Sequence, residues 1–211
     1  MGESKLGLSG AEMSQIHKTL EADENSMELV NRCWRDILKK RAIKFQNAGL
    51  AGLPPYETKA GNAGITVQSE IQSLFNEVPK IKTQILSLPP FASRSSESGS
   101  MESLYWELIK INGHATFNLG AIYFKTSNDR YQVLDCNYYC SSETYASLTF
   151  RQIWPIKFQG RDVSLIWRVE LASSPLLENA RGIDRLAARG IMVQEIKDEI
   201  HWFQENAVKA P

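Results

Sequence analysis

The sequence predicts an α+β fold: N-terminal helices, an antiparallel β-meander of about four to five strands, and a long C-terminal helix packed on the sheet. Three observations predict it. Apolar residues recur at helical spacing through Met27, Val30, Trp34, Ile37, Leu38 and Phe45. They alternate one in, one out at 131–140 and 163–171, the period of a strand with one buried face. The helical period then returns in Ile183, Leu186, Val193, Ile196, Ile200 and Phe203.

Ser9-Gly-Ala-Glu12 opens the first helix, with Ser9 as N-cap and Glu12 placed to return the hydrogen bond. That helix ends near Glu21. Asn25 or Ser26 caps the next, which runs to about Asn47 before Gly49 stops it and Leu53-Pro54-Pro55 prevents its resumption. Four glycines and two prolines make 48–64 a loop. It is not read as a phosphate loop, because a dinucleotide fingerprint follows a strand and here the preceding segment is helical. Ile71, Leu74, Phe75 and Val78 form a third stripe, bent or ended at Pro79 and continued through Ile81, Ile85 and Leu88.

Residues 92–103 are a serine-rich polar run that lacks the apolar residues to bury itself, and they are expected to be a flexible linker. The chain reads as one α+β domain over 1–211: a helical part at about 9–90, the linker, then sheet plus C-terminal helix at about 104–207. One domain is favoured because a sheet with one apolar face needs helices to cover it. The stretch 104–111 fits a strand, although its start also fits a helical turn, and Asn112-Gly113 is hairpin chemistry. Strands are expected at 115–125, 131–140, 145–154 and 163–171, with Leu134, Cys136, Tyr138 and Cys140 sharing one face. Pro155 marks a bulge, a strand end or an edge. The stretch 163–171 has the clearest alternation. The C-terminal helix spans about 182–206, and its Gly190, costing about 1 kcal/mol against Ala, is best explained by close approach to the sheet.

Overall charge argues against one broad class of partner. The 24 basic residues balance the 24 acidic ones, so the excess that draws a dedicated nucleic-acid binder onto phosphates is missing. No apolar run approaches the roughly 18 residues of a membrane span. The N-terminus carries no secretory pattern, so the chain as written reads as cytoplasmic, or as periplasmic or extracellular if a leader has been removed. Three cysteines do not make a disulfide framework. In one regular strand Cys136 and Cys140 would stand about 13 Å apart, beyond disulfide reach, so both are read as small core residues.

No catalytic residue, metal site or cofactor is assigned. His17, His114 and His201 stand outside every recognised catalytic motif, and no Cys or His pair has metal-ligand spacing. The leading expectation is a non-enzymatic binding or interaction domain that takes a small apolar ligand or a protein partner. Its apolar cleft would lie between sheet and C-terminal helix, with Tyr138, Trp154, Trp167 and Gly190 as lining candidates. One alternative is an enzyme site on the polar sheet face using Asp135, Arg151 or Arg168, which requires these to converge with perturbed pKa values. The other is an anionic surface bound by the basic helix at 32–44, through Arg32, Arg35 and Lys39 on one face; a solvated face explains those residues equally well.

Overall fold

A computed structural model describes residues 7–22, 27–56, 64–88, 91, 100–111, 114–127, 129–141, 144–174, 193–194, 196–198, 200–202 and 204–205. The chain divides into two units, Met1–Ser173 and Ser174–Pro211. The first holds α1 (Gly10–Ala22), α2 (Met27–Ala48), a 3-10 turn (Gly49–Gly52), α3 (Val67–Glu77) and α4 (Pro79–Leu86). Its sheet follows as β1 (Ser100–Ile111), β2 (His114–Ser127), β3 (Arg130–Cys140), β4 (Ala146–Phe158) and β5 (Arg161–Ser173). All neighbours are antiparallel and adjacent in sequence, in the order β1-β2-β3-β4-β5. The expected α+β class and meander are therefore present, with five strands.

Local chemistry explains the ends of these elements. The Ser9 amide and hydroxyl both donate to Glu12 Oε2 at 2.8 Å, and the Glu12 amide returns a bond to Ser9 Oγ at 3.4 Å. This is the expected capping box. Thr66 and Ser69 build another at the start of α3. Gly49 follows α2 with φ +61°, the left-handed conformation that glycine takes without steric penalty. At the β4–β5 hairpin, Gln159 (φ 49°) and Gly160 (φ 77°) form a two-residue turn with both central residues left-handed, matching the right-handed twist of the strands.

The core lies between the helices and one face of the sheet. Ile37, Leu38 and Phe45 of α2 and Val67, Ile71 and Phe75 of α3 are buried together with Ala121, Leu134, Cys136, Leu148 and Phe150. Phe45 stacks on Tyr138 at 3.9 Å between ring centroids, and Trp34 meets Tyr139 edge-on at 6.4 Å. Two adjacent tyrosines reach the same helix because the β2–β3 register shifts between Leu119 and Gly120, leaving Tyr138 as the extra residue of a bulge. The bulge corrects one expectation. Cys140 pairs with Asn118 and has left the face of Leu134 and Cys136, because the inserted residue shifts the alternation by one. Cys33, Cys136 and Cys140 are buried and free.

Other boundaries differ for physical reasons. β1 begins at Ser100, inside the stretch read as linker, since serine in a strand needs only a partner and residues 114–125 of β2 supply one. β4 runs through Pro155, which pairs with Ser164, while pairing with β3 ends at Ile153. Pro155 thus sits where one side of β4 is already an edge and a missing N–H is tolerated. Met27, placed on the α2 core stripe by its spacing, is exposed. In the second unit, residues 193–194, 196–198, 200–202 and 204–205 are helical, with Gln194 Nε2 donating to Asp198 Oδ1 at 2.8 Å. Residues 182–192 of the expected helix lie outside the described residues, as does the Asn112-Gly113 turn.

Candidate functional site

Four places in the first unit gather polar or exposed apolar groups. The first is the buried Arg41, 1% exposed, which donates from Nε to Glu12 Oε1 at 2.9 Å and from Nη2 to Glu12 Oε2 at 2.6 Å. Nη2 also donates to the Gly7 carbonyl at 3.2 Å, and the guanidinium carbon lies 4.7 Å from the Tyr139 ring centroid. Burial pushes the Glu12 carboxyl upward, but the hydrogen bonds and charge of Arg41, with the Ser9 bonds, outweigh it and hold it below its ordinary value. A guanidinium fork bonded through Nε and Nη2 in this way ties α1, α2 and β3 together, while Nη1 is buried without a hydrogen-bond partner among the described residues. Its role is structural.

The second is the sheet face away from the helices. Tyr105 lies opposite Gly120, and its ring crosses the glycine so closely that a Cβ there would stand 2.2 Å from the Tyr105 Cζ. The ring carries its hydroxyl over β2 to β3, where it donates to Asp135 Oδ1 at 2.7 Å and lies 3.0 Å from Asn137 Oδ1. Asn137 Nδ2 reaches Ser147 Oγ at 3.2 Å, and Asn118 Nδ2 donates to Glu107 at 2.8 Å. Burial raises the Asp135 carboxyl, and neither the Tyr105 hydrogen bond nor the nearby charge of Arg151 fully reverses it. Burial and that same bond keep the Tyr105 phenol protonated well above its ordinary range. Arg168 pairs with Glu170 at 2.7 Å. The charge of Arg151 acts on Asp135, while Arg168 stands directly opposite Arg151 across the β4–β5 ladder and bonds to Glu170, so the three share one face and are engaged largely with neighbouring polar groups.

The third is the basic stripe on α2. Arg32, Arg35 and Lys39 are exposed, and Arg32 lies 3.5 Å from Glu28. Arg41, part of the same run in sequence, is withdrawn into the core.

The fourth is apolar. On the helix-bearing face, the helices of the first unit cover the middle of the sheet and the 169–173 end of β5. Leu104, Trp106 and Leu108 of β1 and Ile156, Phe158, Val163 and Leu165 of the β4–β5 hairpin remain exposed on that face. Trp106 is 68% exposed and Phe158 60%. This changes the reading of 163–171, whose alternation is as expected but whose first half is not covered. Trp154 is half-buried beside it, Trp167 packs edge-on against Phe150 at 5.8 Å, and Tyr138 is enclosed beneath Phe45. Gly190 lies outside the described residues.

A small polar cavity of about 220 Å³ opens on the same face between α4 and the ends of β2–β4, lined by Gln84, Ser87, Lys125, Ser127, Arg130, Gln132 and Gln152. Among the described residues no helix is long and apolar enough to cross a membrane. The class these features define is an α+β unit whose five-stranded meander carries helices on one face and leaves apolar margins beyond them. No protein-family model matches the sequence, and no curated protein or solved structure matches the chain.

Proposed function

We propose that the chain is a protein-interaction domain that binds partners through the apolar margins of its sheet. One observation carries the reading: the apolar alternation of β4 and β5 continues past the helical cover, leaving Ile156, Phe158, Val163 and Leu165 side by side and exposed. Scattered apolar residues are ordinary on a protein surface, but a contiguous group on one rigid hairpin is typical of a partner site. Aromatic anchors on strands suit this role because they lose little side-chain freedom on contact. Asp162 and Lys157, 3.9 Å apart and exposed, supply a polar rim at the hairpin end.

The test is a photoreactive phenylalanine at position 158 in the otherwise native chain. A protein adduct of discrete mass is expected in native extract, lost on Leu165→Lys and absent when the probe sits at Lys39. Equal adducts at 158 and 39, or an adduct indifferent to Leu165→Lys, would remove the reading.

A further inference from the structure

Resting on that reading, we infer that the partner at the β1 margin is a second copy of this chain, joined edge to edge through β1 in an antiparallel pair whose two-fold axis passes through Trp106. β1 is an edge strand, pairing only with β2 among the described residues. Its twelve residues present a row of unpaired backbone groups, which is a template for another strand. Such edges are usually guarded by charge, and β1 carries Glu102, Glu107 and Lys110. Their positions decide what the edge accepts.

The helix-bearing face of β1 reads Glu102, Leu104, Trp106, Leu108, Lys110, since these pair with Tyr123, Ala121, Leu119, Phe117 and Ala115 of β2. That series is self-complementary under a two-fold axis at Trp106. Glu102 falls opposite Lys110 of the second copy, Leu104 opposite Leu108, and Trp106 opposite itself. On the other face Ser103 meets Ile109 and Tyr105 meets Glu107, with no like charges opposed. A shift of two residues one way places Glu107 against Glu107, and a shift the other way leaves Glu102 against Leu108. Only the Trp106-centred register pairs the opposite charges, which is how cross-strand neighbours select register. A symmetric homodimer contact must be self-complementary in this sense. Trp106 and Leu108 are available for it, 68% and 64% exposed, and Glu102 and Lys110 are exposed, with Glu102 Oε1 also accepting from the Tyr123 hydroxyl at 3.2 Å. Trp106 is already aligned by stacking on Phe117, with centroids 5.7 Å apart and planes 9° from parallel.

Sedimentation equilibrium of the full chain across the micromolar range tests this. The wild type is expected to dimerise. Glu102→Lys alone and Lys110→Glu alone should each be monomeric, because each sets like charges face to face twice. An equimolar mixture of the two variants should form a heterodimer, and the double variant E102K/K110E should dimerise again. Circular dichroism of each variant checks that folding is unchanged. Independently, Trp106→Cys should form a disulfide-linked dimer under mild oxidation, since opposed antiparallel residues stand about 4.5–5.5 Å apart at Cα, within disulfide reach. A monomeric wild type, a dimer indifferent to both charge changes, or a mixture that fails to associate would overturn the inference. A monomeric wild type that still gives the position-158 adduct would overturn it and leave the proposed function standing.

Discussion

Arg41 and Glu12, twenty-nine positions apart in the chain, form a two-point ion pair at 2.6 and 2.9 Å in which the carboxylate also caps its own helix. Removing either partner strands a desolvated charge. Glu12→Gln or Arg41→Met is expected to destabilise the fold by about 3–5 kcal/mol, read from urea unfolding. A loss under about 1 kcal/mol would show that the pair is not closed in solution.

The same pair sets one direction of pH dependence. Glu12 titrates below its ordinary value of 4.5 when folded. Its contribution is therefore present above pH 4.5 and lost as pH falls through the folded value. Glu12→Gln should flatten the acid limb of stability against pH, and an unchanged limb would contradict this.

Asp135 runs the opposite way. Its folded carboxyl is raised above the ordinary 3.8, so the folded state holds the proton to higher pH than the unfolded chain. Stability from this group is present in acid and lost as pH rises through the folded value. Asp135→Asn keeps an oxygen to accept from Tyr105 and removes the charge. It is expected to gain stability relative to wild type with rising pH and to show no gain below pH 3.8. A constant difference across pH would refute the assignment.

Gly120 is required by Tyr105. Gly120→Ala places a methyl against the ring at 2.2–2.5 Å, which should displace the phenol from Asp135 and cost about 1–3 kcal/mol. In the Tyr105→Ala background the same change should cost little, a coupling that a double-mutant cycle measures. Additive effects would mean that the ring does not cross the glycine.

Gln159 occupies a left-handed turn position at φ 49° that favours asparagine or glycine. Gln159→Asn should stabilise the hairpin by roughly 0.5–1 kcal/mol in thermal unfolding. A destabilised variant would contradict the turn geometry.

Much of the fold was legible because it follows from local pattern. The alternation at 131–137 and 163–171 and the Ser9–Glu12 capping box each announce themselves within a few residues. What escaped depends on partners distant in sequence. Arg41 looks like one more cation on a basic helix, and only Glu12, Tyr139 and the Gly7 carbonyl explain its burial. The Tyr138 bulge is a property of the β2–β3 pairing, so alternation alone put Cys140 on the wrong face. Ser100–Ser103 resemble linker until β2 is beside them. Tyr105 carries no local signal beyond its place in a strand; only the β1–β2 register, which sets it opposite Gly120, reveals its role. The exposed half of β5 was hidden for a different reason: alternation says which face is apolar, not how far the helices extend over it.

Hydroxyl-radical footprinting of Phe158 and Leu165, in dilute purified protein and in native extract, tests the interaction account most directly. Both should label readily when purified and be protected in extract, while Phe45 and Tyr138 stay unlabelled in both. Equal labelling of Phe158 and Leu165 under the two conditions would contradict the account.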